Sequence, residues 1–264
     1  MGGRNDKRVC LEGGRLVYYR PNMGRCFWDE HWRACNSPQF YGPYLRGYLG
    51  RGSLAKVLRR RLPRTGRILE AGCGKAQYVV SLRARGYDCI GIDNAKDTIG
   101  GVRRLFPKLP IVCGDVCRLP YEDRSFTAYL SFGVVEHFIE GPGPALCEAH
   151  RVLANEGLLI ISVPQLFPWR LREVCGPPLA AESSFYQYAF PPEEFANLLE
   201  EEGFTVEEQY VYGSEFALQL RWPRFGKLFA SFPRLATAVG LALDATPSIS
   251  SRCGRMRLYV ARKR

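Results

Sequence analysis

Arg67-Ile-Leu-Glu-Ala-Gly-Cys-Gly-Lys-Ala-Gln-Tyr78 reads as a buried strand, a tight turn and the start of a helix. The apolar pair Ile68-Leu69 ends in an acid, Glu70, and the chain then turns through Gly72-x-Gly74. Tyr78, Val79, Val80 and Leu82 carry a helical apolar pattern that Gly86 closes. Glycines at such a turn let a ligand approach bare backbone, so a nucleotide-like cofactor is implied. Twenty-one residues after Gly72, the strand Cys89-Ile-Gly-Ile92 ends in Asp93, where a carboxylate can accept both hydroxyls of a ribose.

Three further strands follow in the same style. Ile111-Val-Cys-Gly-Asp115 ends in Gly114-Asp115, a place for an acid that accepts from an adenine amino group. Tyr129-Leu-Ser-Phe-Gly133 is followed by Val134-Val-Glu-His137, and Gly157-Leu-Leu-Ile-Ile-Ser-Val-Pro164 completes the series. In combination these motifs resemble the class I S-adenosylmethionine-dependent methyltransferases, in the broad group of small-molecule and quinone-biosynthesis enzymes. The resemblance covers about residues 66 to 213 and resumes at the last strand.

The resemblance implies an α/β, three-layer Rossmann-like fold. Its seven-stranded sheet is mostly parallel with an antiparallel last strand, and it carries an N-terminal helical cap and a C-terminal insertion. It implies S-adenosyl-L-methionine as cofactor: Glu70, Gly72, Cys73 and Gly74 at the methionine end, Asp93 and Asn94 at the ribose. Gly114, Asp115 and the Val116 backbone would face the adenine, with Ser131 and Phe132 near the sulfonium. Ala76 stands where the family usually has a third glycine, and alanine is small enough for the same close packing. A dinucleotide oxidoreductase also uses a glycine turn and an acidic strand end. Here Gln77 occupies the last glycine of that pattern, and the acid two residues before Gly72 favours the methyltransferase.

Four divisions are expected: a basic, aromatic-rich cap at 1–65, the cofactor-binding core at 66–213, a substrate-lid insertion at 214–254, and the last strand with a basic tail at 255–264. Charge follows them. The net +11 divides into +11 for residues 1–67, −8 for 68–213 and +8 for 214–264. Basic flanks around an acidic core suggest an anionic partner: a phosphorylated or carboxylated substrate, nucleic acid or an acidic lipid surface. The equally bland reading is that arginines keep aromatic segments soluble.

In the cap, Phe27-Trp-Asp-Glu-His-Trp32 spaces its aromatics for one helical face, so Trp28, His31 and Trp32 are candidates to wall the cofactor. In the insertion, Trp222, Phe225, Leu228, Phe229, Phe232, Leu235, Val239 and Leu243 recur at helical spacing among Arg221, Arg224, Lys227 and Arg234. Pro223 and Pro233 break any long helix, which favours a lid of short helices over a basic amphipathic surface against a membrane.

Ten cysteines without paired C-x-x-C motifs read as reduced thiols in a cytoplasmic protein, and no metal site is expected at Cys113 and Cys117. The polar opening Met1 to Arg8 lacks the apolar core of a secretory leader, and the longest apolar stretch, Leu235 to Leu243, is too short to span a bilayer. The expected location is the cytoplasm, with peripheral membrane contact as the second reading.

Methyl transfer needs the acceptor atom held in line and, where it carries a proton, a group to take it. The histidines are His31, His137 and His150. His137 follows the fourth strand, as the Glu-His of the family does, and is the first candidate for base or orienting group; His31 is the second. His150 falls inside a helix. Tyr18, Tyr19, Tyr186 and Tyr188 are possible acceptor contacts. The Asp/Asn-Pro-Pro-aromatic element of enzymes that methylate base amines is absent at Ser131-Phe-Gly-Val134, as is a Pro-Cys nucleophile. The expected acceptor is therefore a small molecule or a lipid- or sugar-linked metabolite, methylated on oxygen, nitrogen or carbon. Methylation of tRNA or rRNA, and a non-catalytic binding protein that keeps the fold, are the alternatives.

Overall fold

The structure, a computed structural model, describes residues 8–21, 27–32, 37–176 and 184–264. It opens on a hairpin, β1 (Arg8–Glu12) and β2 (Arg15–Arg20), turned by Gly13-Gly14. Helices α1 (Phe27–Trp32), α2 (Pro38–Tyr41) and α3 (Gly52–Arg61) lead to β3 (Arg67–Ala71) and α4 (Gln77–Ala84). Then come β4 (Asp88–Asp93), α5 (Lys96–Leu105), β5 (Ile111–Cys113), β6 (Phe126–Phe132), α6 (Gly143–Val152) and β7 (Leu153–Pro164). β8 (Ser184–Ala189), α7 (Pro192–Glu201) and β9 (Phe204–Tyr212) follow. Four short helices, α8 (Glu215–Arg221), α9 (Pro223–Ser231), α10 (Pro233–Asp244) and α11 (Pro247–Cys253), precede β10 (Met256–Lys263).

The main sheet has seven strands in the order β5-β4-β3-β6-β7-β10-β9, with β10 antiparallel to both neighbours. Its central strands read as nearly unbroken apolar runs because both faces are covered. Alternate residues serve opposite layers. Leu69, Tyr129, Leu159 and Ile161 pack with Leu146, Ala149, Phe195 and Leu199 of α6 and α7. Ile68, Ala128, Leu130 and Ile160 pack with Val57, Leu58, Val79, Leu82 and Val102 of α3, α4 and α5. Three layers result, as the resemblance implies.

Two features go beyond the sequence reading. The N-terminal region is not purely helical: β2 pairs with β8, so a small three-stranded sheet joins the hairpin to the aromatic stretch after β7. β7 begins at Leu153 rather than Gly157. Residues 154–157 bulge out of its ladder with β6, where Phe126 faces Leu153 but Ala128 faces Leu158, and Glu156 takes φ 58°. The parts of the aromatic cap at 22–26 and 33–36, and of the stretch after Pro164 at 177–183, lie outside the described residues.

A buried ionic cluster ties these additions to the core. Arg170, in a 3₁₀ turn over Pro168–Glu173, donates from Nε to Tyr18 Oη and Glu173 Oε1, both at 3.0 Å, and from Nη1 to the Gln165 carbonyl. Tyr18 Oη donates to Glu173 Oε1 at 2.8 Å. Cys10, Cys73, Cys89, Cys113, Cys117, Cys147 and Cys253 are free thiols. Among the described residues no helix is long and apolar enough to cross a membrane, and no cluster of His, Cys, Asp and Glu is arranged to hold a metal ion.

Candidate active site

Strand order reverses between β3 and β6: from β3 the sheet grows through β4 and β5, from β6 through β7. Helix α4 leaves β3 on one side and α6 follows β6 on the other, so the loops diverge and leave a crevice at the strand ends. A cavity of about 440 Å³ occupies it, within the usual range for small-molecule sites.

Its floor is the turn after β3. Gly72 and Cys73 donate their N–H groups to the Ile92 carbonyl at 2.8 and 3.0 Å, which pins the turn to the end of β4. Gly72 has φ 76°, and a Cβ there would lie 2.2 Å from Val134 Cγ2. Gly72→Ala is therefore expected to destabilise the protein by about 1–3 kcal/mol through backbone strain and overpacking, read from a urea titration. Ala76, at the family's third glycine, holds φ 55° as the residue capping α4. The substitution puts an alanine in the left-handed region.

The acids surround this floor. Glu70 Oε2 accepts from the Val79 N–H in the first turn of α4 at 3.1 Å, a cap supplied from the preceding strand. Burial pushes the Glu70 carboxyl well above the usual range, against that hydrogen bond. Asp93 Oδ2 accepts from the Gly74 N–H at 2.7 Å and Oδ1 from the Ala95 N–H at 2.9 Å. Asp93 thus latches the glycine turn, and each oxygen keeps a second lone pair for a ligand hydroxyl. Asp115 Oδ1 accepts from the Cys117 N–H and, with exposed Asn94, forms part of the wall.

The opposite wall comes from α1. Asp29 Oδ1 accepts from Thr98 N–H and Oγ1, at 2.8 and 2.9 Å, in the first turn of α5, and so docks α1 over the crevice. Trp28, His31 and Trp32 consequently line the cavity. Lys75 Nζ lies 5.2 Å from the Trp32 ring centroid and 4.2 Å from that of Phe40. His137 packs edge-on to Trp28 at 4.6 Å and against Tyr186 at 5.0 Å.

His137 Nδ1 is 2.6 Å from the Tyr186 carbonyl. A carbonyl only accepts, so the proton sits on Nδ1 and Nε2 keeps a lone pair. Burial drops His137 to about 4, outweighing that hydrogen bond. Nε2 lies 3.9 Å from Glu136 Oε1. Glu136 is 2% exposed, and its Oε2 has no hydrogen-bond partner among the described residues. Burial raises its carboxyl to about 8, with Arg255 and Arg170 opposing.

Among the residues named from sequence, Glu70, Gly72, Cys73, Asp93, Asn94, Gly114, Asp115, Val116, Phe132, His31 and His137 all line this one cavity. Ser131 does not: the pleat turns it into the sheet, 1% exposed, and Phe132 takes the wall. Gly74 lies under Trp32 and joins through its N–H to Asp93 rather than as wall. His150 packs against Phe204 on α6, away from the cavity. No residue of 214–254 is in the wall. Sequence reasoning passed over Glu136, whose one signal was its place beside His137, and Arg255 and Met256, which reach the site only because β10 lies beside β7.

A donor bearing a nucleoside and an amino acid fits these walls. It needs acid acceptors at the strand ends, a close backbone turn and polar groups left unmatched. Asp93 and Asp115 supply the first, Gly72 the second, and Gln77 Oε1 and Glu136 Oε2, buried and without a partner among the described residues, the third. The fold and site define the class I methyltransferase architecture. Residues 69–161 match the family model described as a methyltransferase domain.

A probable S-adenosylmethionine-dependent methyltransferase of Mycolicibacterium smegmatis is 30% identical over 144 residues, covering 53% of this chain and 52% of that protein. The demethylmenaquinone methyltransferase of Beutenbergia cavernae is 30% identical over 127 residues, 47% of this chain and 48% of that one. This chain thus spans about half the length of these relatives. The crystal structure of Burkholderia thailandensis 1,6-didemethyltoxoflavin-N1-methyltransferase, with 1,6-didemethyltoxoflavin and S-adenosylhomocysteine bound, superposes with a TM-score of 0.54. It covers 98% of this chain and 99% of that one at 15% identity, a likeness of fold.

Proposed function

We propose that this protein transfers a methyl group from S-adenosylmethionine to a small, flat acceptor seated among Trp28, His31, Trp32, Tyr186 and His137. One observation carries the reading: a single cavity runs from the glycine turn and Asp93 to the aromatic wall and Glu136. When bound, the sulfonium supplies an electrophilic methyl group. Glu70 and the turn hold the amino-acid end, Asp93 and Asn94 the ribose, and Asp115 with Val116 the adenine. The aromatic wall excludes water and orients the acceptor ring.

Glu136, with an oxygen free to face the acceptor, takes the proton that an O–H or N–H acceptor gives up. A carboxyl titrating near 8 suits that task better than an imidazole titrating near 4, because an effective base has an affinity close to the working pH. His137, the sequence-based candidate, then acts by position. Tyr186 fixes its ring, and its Nε2 lone pair faces the carboxyl. Activity on a protonated acceptor rises with pH toward 8 as Glu136 ionises. Residues 66–213 form the donor-binding core in this reading, and the protein works as an enzyme rather than a binding module.

Calorimetry with S-adenosylhomocysteine, together with incorporation of labelled methyl groups into a small-molecule cell extract, tests the reading. Donor binding without any labelled product supports a non-catalytic binder, and label in RNA alone supports the nucleic-acid alternative. Asp93→Ala is expected to weaken S-adenosylhomocysteine binding by about 1–3 kcal/mol, the worth of a hydrogen bond to a charged group, with part of the loss from release of the Gly74 latch. Unchanged affinity contradicts the ribose placement.

A further inference from the structure

The helices at 214–254 stand apart from the cavity yet carry a surface that the transfer reaction leaves unused. Their inner side is satisfied by the protein itself. Phe229, Ala217 and Gly240 are buried, Phe225 packs on Phe229, and Leu241 reaches Gly52 at the head of α3. The outer side is not. Phe232, at the junction of α9 and α10, is 58% exposed; Leu228 and Leu235, four and three residues from it in sequence, and Trp222 at the head of α9 are exposed as well. Arg224, Leu228 and Phe232 are spaced four apart, so they follow one side of α9 into the junction. Leu235, Ala238 and Ala242 continue as an uncharged exposed stripe on α10.

Charge identifies the occupant. Arg221, Arg224, Lys227 and Arg234 are interleaved in sequence with these apolar residues, and no Asp or Glu occurs between Glu215 and Asp244. Among the described residues none of Arg224, Lys227 and Arg234 forms an ion pair; Arg221 lies over the Trp222 ring at 5.1 Å. Cations around protruding leucine and phenylalanine match a surface with anionic headgroups over an apolar interior. A nucleic acid would satisfy the cations and leave the aliphatic side chains in water. The helices are too short to span a bilayer, so contact is from one side.

We infer that the α9–α10 junction docks the protein on anionic lipid surfaces, with Phe232 and Leu228 entering the headgroup boundary and the four cations meeting lipid phosphates. Docking there leaves the donor cavity free, since none of these residues lines it.

Sedimentation of the full chain with phosphatidylglycerol/phosphatidylcholine vesicles tests this. Binding is expected to be at least about tenfold tighter than to phosphatidylcholine alone and to weaken in 0.5 M salt, about the ionic strength at which surface charges are screened within a few ångströms. The double variant Leu228→Glu, Phe232→Glu is expected to lose about tenfold or more of that binding with an unchanged melting temperature and unchanged S-adenosylhomocysteine affinity. Equal binding to neutral and anionic vesicles overturns the inference, as does full binding by the variant. Should the variant misfold, the salt and lipid dependence of the parent still decides. A parent that forms dimers without lipid, and a variant that is monomeric, assigns the surface to a second copy instead. Competition by RNA that abolishes vesicle binding through the same residues assigns it to nucleic acid.

Discussion

Glu136→Gln is expected to lower turnover by about 10²- to 10⁴-fold, the usual contribution of a positioned proton acceptor, while S-adenosylhomocysteine binds as before. The same change has a readout that needs no acceptor. Glu136 sits at about 8 in the folded chain against an ordinary value of 4.5. The folded state therefore keeps a proton that the unfolded chain releases, and its contribution is fully present below pH 4.5 and lost as pH rises to 8. His137 runs the other way: lowered from 6.5 to about 4, it loses stability as pH falls from 6.5 toward 4. Between pH 4.5 and 6.5 these two slopes oppose each other, and from 6.5 to 8 that of His137 has ended while that of Glu136 persists, with buried Glu70, also raised, acting in the same direction as Glu136. Glu136 should cost the parent up to about 1.4 kcal/mol per pH unit in that upper window, and Glu136→Gln should remove that share of the slope. A flat parent profile from pH 6.5 to 8 in denaturant titrations contradicts the buried, unpartnered carboxyl, and an unaltered pH–rate profile in the variant contradicts its role in proton transfer.

Arg170→Met is expected to cost about 3–5 kcal/mol, because it removes the guanidinium from a buried carboxylate that stays behind. Arg170 and Glu173 are 2% and 8% exposed, and Tyr18 brings β2 into the same cluster. Burial pushes the Tyr18 hydroxyl far up, so it remains a donor to Glu173 at any ordinary pH. The double variant Arg170→Met, Glu173→Leu should recover most of the loss, since apolar replacement of a whole buried pair is often near neutral. Urea unfolding of the two singles and the double supplies the cycle. Additive losses would mean that the pair is not coupled. The cluster also anchors the small sheet whose β8 carries Tyr186, so its loss should loosen the carbonyl that orients His137.

The central fold was legible because its signals are local. Ile68-Leu69 before Gly72, and Ile90 to Asp93 before Asn94, announce strands and turns within a few residues of themselves. The proline at the head of α7, the acids of its first turn and Gly203 beyond it bound that helix without help from the rest of the chain. The small sheet was not legible. β2 finds its partner at β8 more than 160 residues away, and Tyr18-Tyr19 looks no different from any other aromatic pair until that partner is present. Strand pairing is a tertiary fact, and local composition carries little of it.

The site divides along the same line. In the proposed reading the donor half follows from residue identity at the ends of consecutive strands, because a parallel sheet delivers strand ends to one edge whatever else surrounds them. Glu70, Asp93 and Asp115 needed only to terminate their strands. The acceptor half of that reading depends on three distant encounters: Asp29 fastening α1 to α5, Tyr186 from β8 bonding His137, and β10 bringing Arg255 beside β7. Sequence order holds no distance between these groups. Burial then decided their chemistry: enclosure, with no partner for Glu136 Oε2 among the described residues, turned an ordinary glutamate into a group that titrates near 8, and the same enclosure keeps the favoured histidine neutral while the Tyr186 carbonyl fixes its ring.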